Sequence, residues 1–151
     1  MHVTVELTLP ADERLLPGTR RFFASYLESL GAAADVVADV VLALDEACSN
    51  VVRHAFPGRQ GTYQVWADQR PLEVVIEVTD DGVGFDAMVS PGGGRLALAW
   101  RGLQLMSRLM TAVEVELPAA KGGTRLRMRR RMPAPAYPAA PAHQPGHRHR
   151  A

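Results

Sequence analysis

The sequence predicts an α/β domain with strands at both ends of the chain and helices between them. Residues 2–9 alternate, with Val3, Val5, Leu7 and Leu9 on one face and His2, Thr4, Glu6 and Thr8 on the other, the period of a half-buried strand. Residues 36–55 carry apolar side chains at helical spacing instead. Residues 61–80 and 113–131 each read as a hairpin, so runs of strand flank runs of helix, an order that suits a sheet covered by helices. The 151 residues are expected to form one domain over residues 1–132, large enough for a proper core, followed by a tail over 133–151.

Composition narrows the class of function. Hydrophobic residues make up 47% and charged residues 22%, and the net charge is +1, ordinary values for a globular domain. Such a balance provides no global attraction to nucleic acid or to an anionic membrane. The single Cys48 excludes an internal disulfide and fits a reducing, cytoplasmic setting. It lies on the apolar side of the central helix, where a thiol is buried and inert. No stretch approaches the roughly 20 apolar residues of a membrane span, and the N-terminus lacks a signal-peptide pattern.

After a loop over residues 10–16, Pro17 sits where a first helical turn tolerates it. Phe22, Phe23, Tyr26, Leu27 and Leu30 follow at helical spacing, with Gly31 as the C-terminal cap. A central helix is expected from Asp35, an N-cap residue, to about Ala55. Phe56-Pro57-Gly58 ends it. At about 100° per residue, Val37, Val40, Val41, Leu44, Cys48, Val51, Val52 and Ala55 gather on one flank. Asp39, Ala43, Glu46, Asn50, Arg53 and His54 gather on the other. Glu46 and Asn50 are one turn apart and therefore adjacent. An amide oxygen can ligate a hard cation and a carboxylate can orient a hydroxyl, so the pair suits a magnesium-nucleotide site. A merely solvated polar face would look the same.

Strands are expected over residues 61–69 and 72–80, with Leu72, Val74, Ile76 and Val78 on one face. Asp80 shares their parity, so its carboxylate points to the core side and needs a polar partner. Gly82 and Gly84 follow. A planar ligand carrying an amino group would fit against their bare backbone, and a tight turn capped by Asp80 would use the same residues. Residues 87–100 lack a period, and Pro91-Gly92-Gly93-Gly94 suggests a lid. Arg101-Gly102-Leu103 is expected to open a third helix, where a glycine lets phosphate reach free N–H groups, with Leu103, Met106, Leu109 and Met110 inside. In the last hairpin Val113, Val115 and Leu117 face in, as do Thr124, Leu126 and Met128 after the Lys121-Gly122-Gly123 turn. Arg125, Arg127 and Arg129 face out opposite Glu114 and Glu116. That alternation predicts cross-strand ion pairs rather than a nucleic-acid surface. Thr124 offers an inward hydroxyl. The Pro/Ala/His/Arg tail, with His143, His147 and His149, cannot build a core and is expected to be disordered and solvated.

Taken in order, these elements resemble a known family. Glu46-Ala-Cys-Ser-Asn50-Val-Val-Arg53-His54-Ala resembles the N box of the GHKL superfamily, the ATP-binding fold shared by gyrase and histidine kinases. Asp80-x-Gly82-x-Gly84 resembles its G1 box, Arg101-Gly102-Leu103-Gln104-Leu105-Met106 the remains of its G2 box, and Gly122-Gly123-Thr124 its closing element. The short domain and the Asp-Asp-Gly-Val-Gly-Phe-Asp run are most similar to bacterial anti-sigma regulatory factors that are serine/threonine kinases of anti-anti-sigma proteins. The resemblance implies a two-layer sandwich: a mixed, mostly antiparallel sheet with helices on one face. It implies Mg2+ and ATP as cofactors, Glu46 as the catalytic base and Asn50 as the magnesium ligand. Arg53, His54, Arg101, Gly102 and Leu103 would join the nucleotide site. Asp80 would accept the adenine amino group, Gly82 and Gly84 would admit the purine, and Thr124 would assist beside Asp80. The implied reaction is transfer of the γ-phosphoryl group to a serine or threonine of an anti-anti-sigma (STAS-type) partner. A sigma factor is the second implied partner and a homodimer the implied assembly. The G2 box departs from the family pattern at Ala99 and Trp100, where further glycines are usual. A second reading follows from that departure, a binding module for the same partners whose ATP site is degenerate.

Overall fold

The computed structural model describes residues 3–84, 94–116 and 122–133, with side chains given from residue 101 onward in the third helix. The expected lid around Pro91, the Lys121 turn, Leu117, the tail beyond residue 133 and the side chains of Ala99 and Trp100 lie outside the described residues. Five strands form one sheet in the order β1-β2-β3-β5-β4: β1 Val3–Pro10, β2 Thr62–Arg70, β3 Glu73–Asp80, β4 Ala112–Glu116 and β5 Thr124–Arg131. Every pair among them is antiparallel. The alternation in β1 is realised residue by residue, with Thr4, Glu6 and Thr8 exposed and the odd-numbered residues half-buried. Leu72 departs from its expected inward place. It lies in the β2–β3 turn and is 54% exposed, because β2 begins and ends one residue later than the pattern suggested and β3 begins one residue later.

Helices α1 (Leu16–Ser29), α2 (Ala34–Asn50) and α3 (Gly94–Leu109) pack around the inner face. Pro17 lies in the first turn of α1, and Gly31 takes the left-handed conformation (φ 80°) just beyond its end. A short 3-10 turn, Glu13–Leu15, precedes α1, with the Asp12 carboxylate accepting from the Arg14 N–H. Ala33, not Asp35, is the N-cap of α2 and offers no side-chain bond. Asp35 sits in the first turn, where a carboxylate still complements the helix dipole. Phe23, Leu27, Val36, Val40 and Leu44 meet Val65, Ile76 and Met128 in the core. Ala43, expected on the polar flank, is fully buried because α2 runs between α1 and α3 as well as over the sheet. On the outer face the expected ion pairs form, Arg129 with Glu114 at 2.8 Å and Arg125 with Glu116 at 3.5 Å.

Two local departures shape the site. The last turn of the central helix, Val51–Ala55, is π-wound. In such a turn each residue advances by less than in an α-helix, so the phase slips and His54 rotates inward to 9% exposure. Arg53 stays outside and meets Glu13 at 3.6 Å. The third helix also begins at Gly94, well before Arg101. Gly102 is therefore interior to α3, with its N–H inside the helical ladder rather than free at an N-terminus.

Candidate functional site

Glu46 and Asn50 lie side by side at the C-terminal end of α2, both half-buried. Gly102 of α3 packs onto them: a Cβ at that position would lie 2.5 Å from Glu46 Oε1 and 3.0 Å from Asn50 Nδ2. Only glycine fits there without displacing one of the two polar groups. Asp80 ends β3 beneath the same region, 8% exposed, and its Oδ1 accepts the Gly82 N–H at 2.8 Å. The carboxylate thus does two things that the sequence left as alternatives: it points inward and it closes the turn. Thr124, opposite Asp80 in the β3–β5 register, carries a buried hydroxyl with no hydrogen-bond partner among the described residues. A cavity lies among three of these side chains and Leu103. Asn50, Asp80, Leu103 and Thr124 line it together with Ala47, Val51, Val78, Met106, Val115 and Leu126.

Of the expected site residues, the structure brings Glu46, Asn50, Asp80, Gly102, Leu103 and Thr124 together. Arg53 turns away toward Glu13, His54 is buried without lining the cavity, and Arg101 is exposed on α3. Gly82 and Gly84 make backbone contacts. A Cβ on Gly82 would collide with the Ala55 carbonyl, which instead accepts the Val83 N–H at 2.9 Å. A Cβ on Gly84 would lie 3.0 Å from the Gly123 carbonyl, and one on Gly123 would collide with the Asp80 carbonyl. The π-turn, the Asp80 turn and the approach to β5 are therefore locked backbone to backbone. The sequence places Val51, Val78, Leu103, Met106, Val115 and Leu126 inward as core and not as a cavity wall, and Ala47, at helical spacing from Leu44, was missed. Cys48 is buried, and burial pushes its thiol up to about 12, so it stays protonated and inert.

Burial raises the Asp80 carboxyl above its ordinary value, while the Gly82 N–H works against that shift. A raised folded-state value means that ionisation costs the folded form more than the unfolded one, so stability falls as pH climbs from 3.8 through the raised value. The substitution Asp80→Asn, which keeps an acceptor for Gly82, is expected to raise the melting temperature at pH 7 by about 3 °C. That gain should vanish below about pH 4, where aspartate too is neutral. Thermal melts at the two pH values check it, and a lower melting point for the variant at pH 7 would contradict the sign.

Residues 9–130 match the family model described as the histidine kinase-like ATPase domain. The chain belongs to this family. Among its relatives are two named serine-protein kinase RsbW. The one from Halalkalibacterium halodurans is 34% identical over 86 residues, 55% of this chain and 51% of the relative. The one from Bacillus thuringiensis is 30% identical over 82 residues, 54% of this chain and 51% of the relative. The alignments thus span about half the length of these curated relatives. Two solved structures share the fold. The RsbU and RsbW domains of a Mycobacterium tuberculosis protein give a TM-score of 0.64 at 24% identity, covering 87% of this chain and 34% of that one. A blue-light activated histidine kinase domain from Erythrobacter litoralis gives 0.50 at 20%, covering 76% and 59%. No helix among the described residues is long and apolar enough to cross a membrane.

Proposed function

We propose that this histidine kinase-like ATPase domain binds Mg-ATP and transfers its γ-phosphoryl group to a serine or threonine of an anti-anti-sigma partner; relatives named serine-protein kinases support the phosphoryl transfer. The observation that carries the reading is the convergence of two unlike environments on one cavity. At one end are Asp80 and the Thr124 hydroxyl, which has no hydrogen-bond partner among the described residues, set in apolar walls. At the other is Asn50, with Glu46 one helical turn away and packed with it against Gly102.

The residues fit the nucleotide chemically. The Asp80 oxygen not engaged by Gly82 accepts an exocyclic amino group, and the Thr124 hydroxyl bonds the base or a water beside it. Val78, Met106 and Leu126 exclude solvent around the ring. No cluster of three or more His, Cys, Asp or Glu that could hold a metal ion occurs among the described residues. One amide beside one carboxylate suits an ion held mainly by nucleotide phosphates. When bound, magnesium neutralises phosphate charge, and positioning does most of the remaining work. Glu46 accepts a hydrogen bond from the incoming hydroxyl, orients it and takes its proton. The hydroxyl oxygen then bonds to the γ-phosphorus as the bond to the β-phosphate bridging oxygen breaks, and ADP leaves.

In the present conformation the cavity is about 40 Å3, room for a few water molecules and less than a purine needs. Helix α3 closes it through Leu103 and Met106, so nucleotide binding requires α3 to move away from α2. This closure also favours a second reading, a binding module for a sigma factor or anti-anti-sigma protein that no longer takes up ATP. Titration calorimetry with Mg-ATP separates the two. Saturable binding, lost in Asp80→Asn and made insensitive to magnesium in Asn50→Ala, is the expected result. Absence of heat at millimolar ATP would leave only the binding module.

A further inference from the structure

The outer face of the sheet, turned away from the helices, carries one large aromatic side chain among the described residues. Trp66 of β2 stands directly between Glu6 of β1 and Glu77 of β3, and Glu77 in turn faces Arg127 of β5. With Gln64 and Thr79 they line a groove of about 280 Å3 that crosses these four strands. Its two ends differ in charge. Glu6 at the β1 end and Arg127 at the β5 end have no ion pair among the described residues, whereas Glu77 in the middle meets Arg125 at 3.2 Å. A half-buried indole beside a free carboxylate favours a ligand that presents flat apolar rings followed by a positive charge.

The chain itself supplies such a segment. Strand β5 ends at Arg131, opposite Glu73, and the Met132 N–H donates to the Leu72 carbonyl at 2.9 Å, so the chain leaves the sheet beside the β2–β3 turn. Beyond it stand Pro135, Pro138 and Pro141. At three residues per turn of polyproline II they share one edge. His143, His147, Arg148, His149 and Arg150 follow, with no acidic residue anywhere in the tail. The neutral proline stretch therefore comes first, as suits the Arg127 end of the groove, and the basic stretch second, as suits Glu6. A composition that cannot build a core is still able to dock on a groove with an aromatic wall.

We propose that the tail folds back across the outer face, with Pro138 and Pro141 on the Trp66 ring and the basic residues at Glu6. The reach is sufficient. Trp66 lies two strands across and four residues along from the exit at Arg131, about 16 Å at ~4.8 Å per strand and ~3.3 Å per residue. The eight residues after Pro133, as far as Pro141, span up to about 25 Å as polyproline II, which leaves length for the chain to reverse direction. Proline fixes its own φ, so less chain entropy is lost on docking than a flexible segment would lose. The groove lies on the sheet face opposite the nucleotide site, so either inference can fail alone.

Disulfide trapping in the full chain tests the docking, since Cys48 is buried and its thiol stays protonated. Ala140→Cys in the tail is combined either with Gln64→Cys in the groove or with Glu114→Cys on β4. Glu114 lies in the same row as Trp66 but only one strand from the exit, so an undocked tail meets it sooner. Docking should reverse that order, the Gln64→Cys pair closing at least tenfold faster to a crosslinked monomer. Pro138→Ala combined with Pro141→Ala leaves the domain untouched and should abolish the preference. Trp66→Ala should do the same with unchanged circular dichroism, and if that variant does not fold the proline pair decides alone. Faster closure at Glu114→Cys, equal rates, or a preference that survives the proline substitutions would overturn the proposal. Covalent dimers in place of crosslinked monomers would overturn it as well, and would assign the groove to the tail of a second copy.

Discussion

Glu46→Gln is expected to lower phosphoryl transfer to the partner by about a thousandfold, about 4 kcal/mol in the barrier, while Mg-ATP affinity is nearly unchanged. Glutamine has the same shape, so it keeps the packing of Glu46 against Gly102 and still offers an oxygen to the incoming hydroxyl. What it cannot do is take the proton. Transfer rates measured with a purified anti-anti-sigma protein, beside calorimetric titration of the same variant, check both halves. Equal rates for parent and variant would remove Glu46 from the chemistry. A loss of nucleotide binding alongside the rate would make it a structural support instead.

Gly82→Ala should have the largest effect on the fold. The added methyl would land on the Ala55 carbonyl, which is backbone and fixed by the Val83 N–H. Relief requires pulling the Asp80 turn off the π-turn, which breaks that bond and strains the Gly82 link to Asp80. Buried steric conflicts of this kind cost about 3–5 kcal/mol, a fall in melting temperature of at least about 10 °C, with nucleotide binding lost in parallel. Gly18→Ala is the matched control. Nothing lies within 4 Å of its added methyl, it sits inside α1, and alanine there should stabilise by up to about 1 kcal/mol. Chemical denaturation of the two variants should move in opposite directions. If Gly82→Ala melted like the parent, the interlock of the three backbone segments would be the wrong account of these glycines.

What was legible in the sequence was whatever has a short period. The alternation of β1 and of β5, the helical spacing around Val40 and Leu44, and the parity that turns Asp80 inward all follow from side-chain direction within one element. The order of the boxes placed Glu46, Asn50, Asp80 and Thr124 in one family. The departures arise where one element meets another. A π-turn uses the same residues as an α-turn, so nothing local distinguished the inward His54 from the outward Arg53. Ala43 looked polar-facing because a helical wheel assumes one covered side, whereas α2 is covered on more than one. Gly102 was expected at a helix start because residues 87–100 have no period, yet α3 runs through part of that stretch. The glycines were read as room for a ligand. Their nearest neighbours are Ala55, Asp80 and Gly123, contacts between segments far apart in sequence that no local pattern encodes.

Strand β5 lies between β3 and β4, and this placement governs what the protein is during its own synthesis. Until the last strand leaves the ribosome, β3 is an open edge and Asp80 has no Thr124 opposite it. A nascent chain stalled before residue 124 would hold Glu46 and Asn50 but no floor for a base, and its unpaired Val74, Ile76 and Val78 row would be prone to aberrant strand pairing. On the proposed reading, the site is therefore complete only once residues 124–131 pair with both β3 and β4. A half-built copy would lack the wall that the proposed site draws from β5.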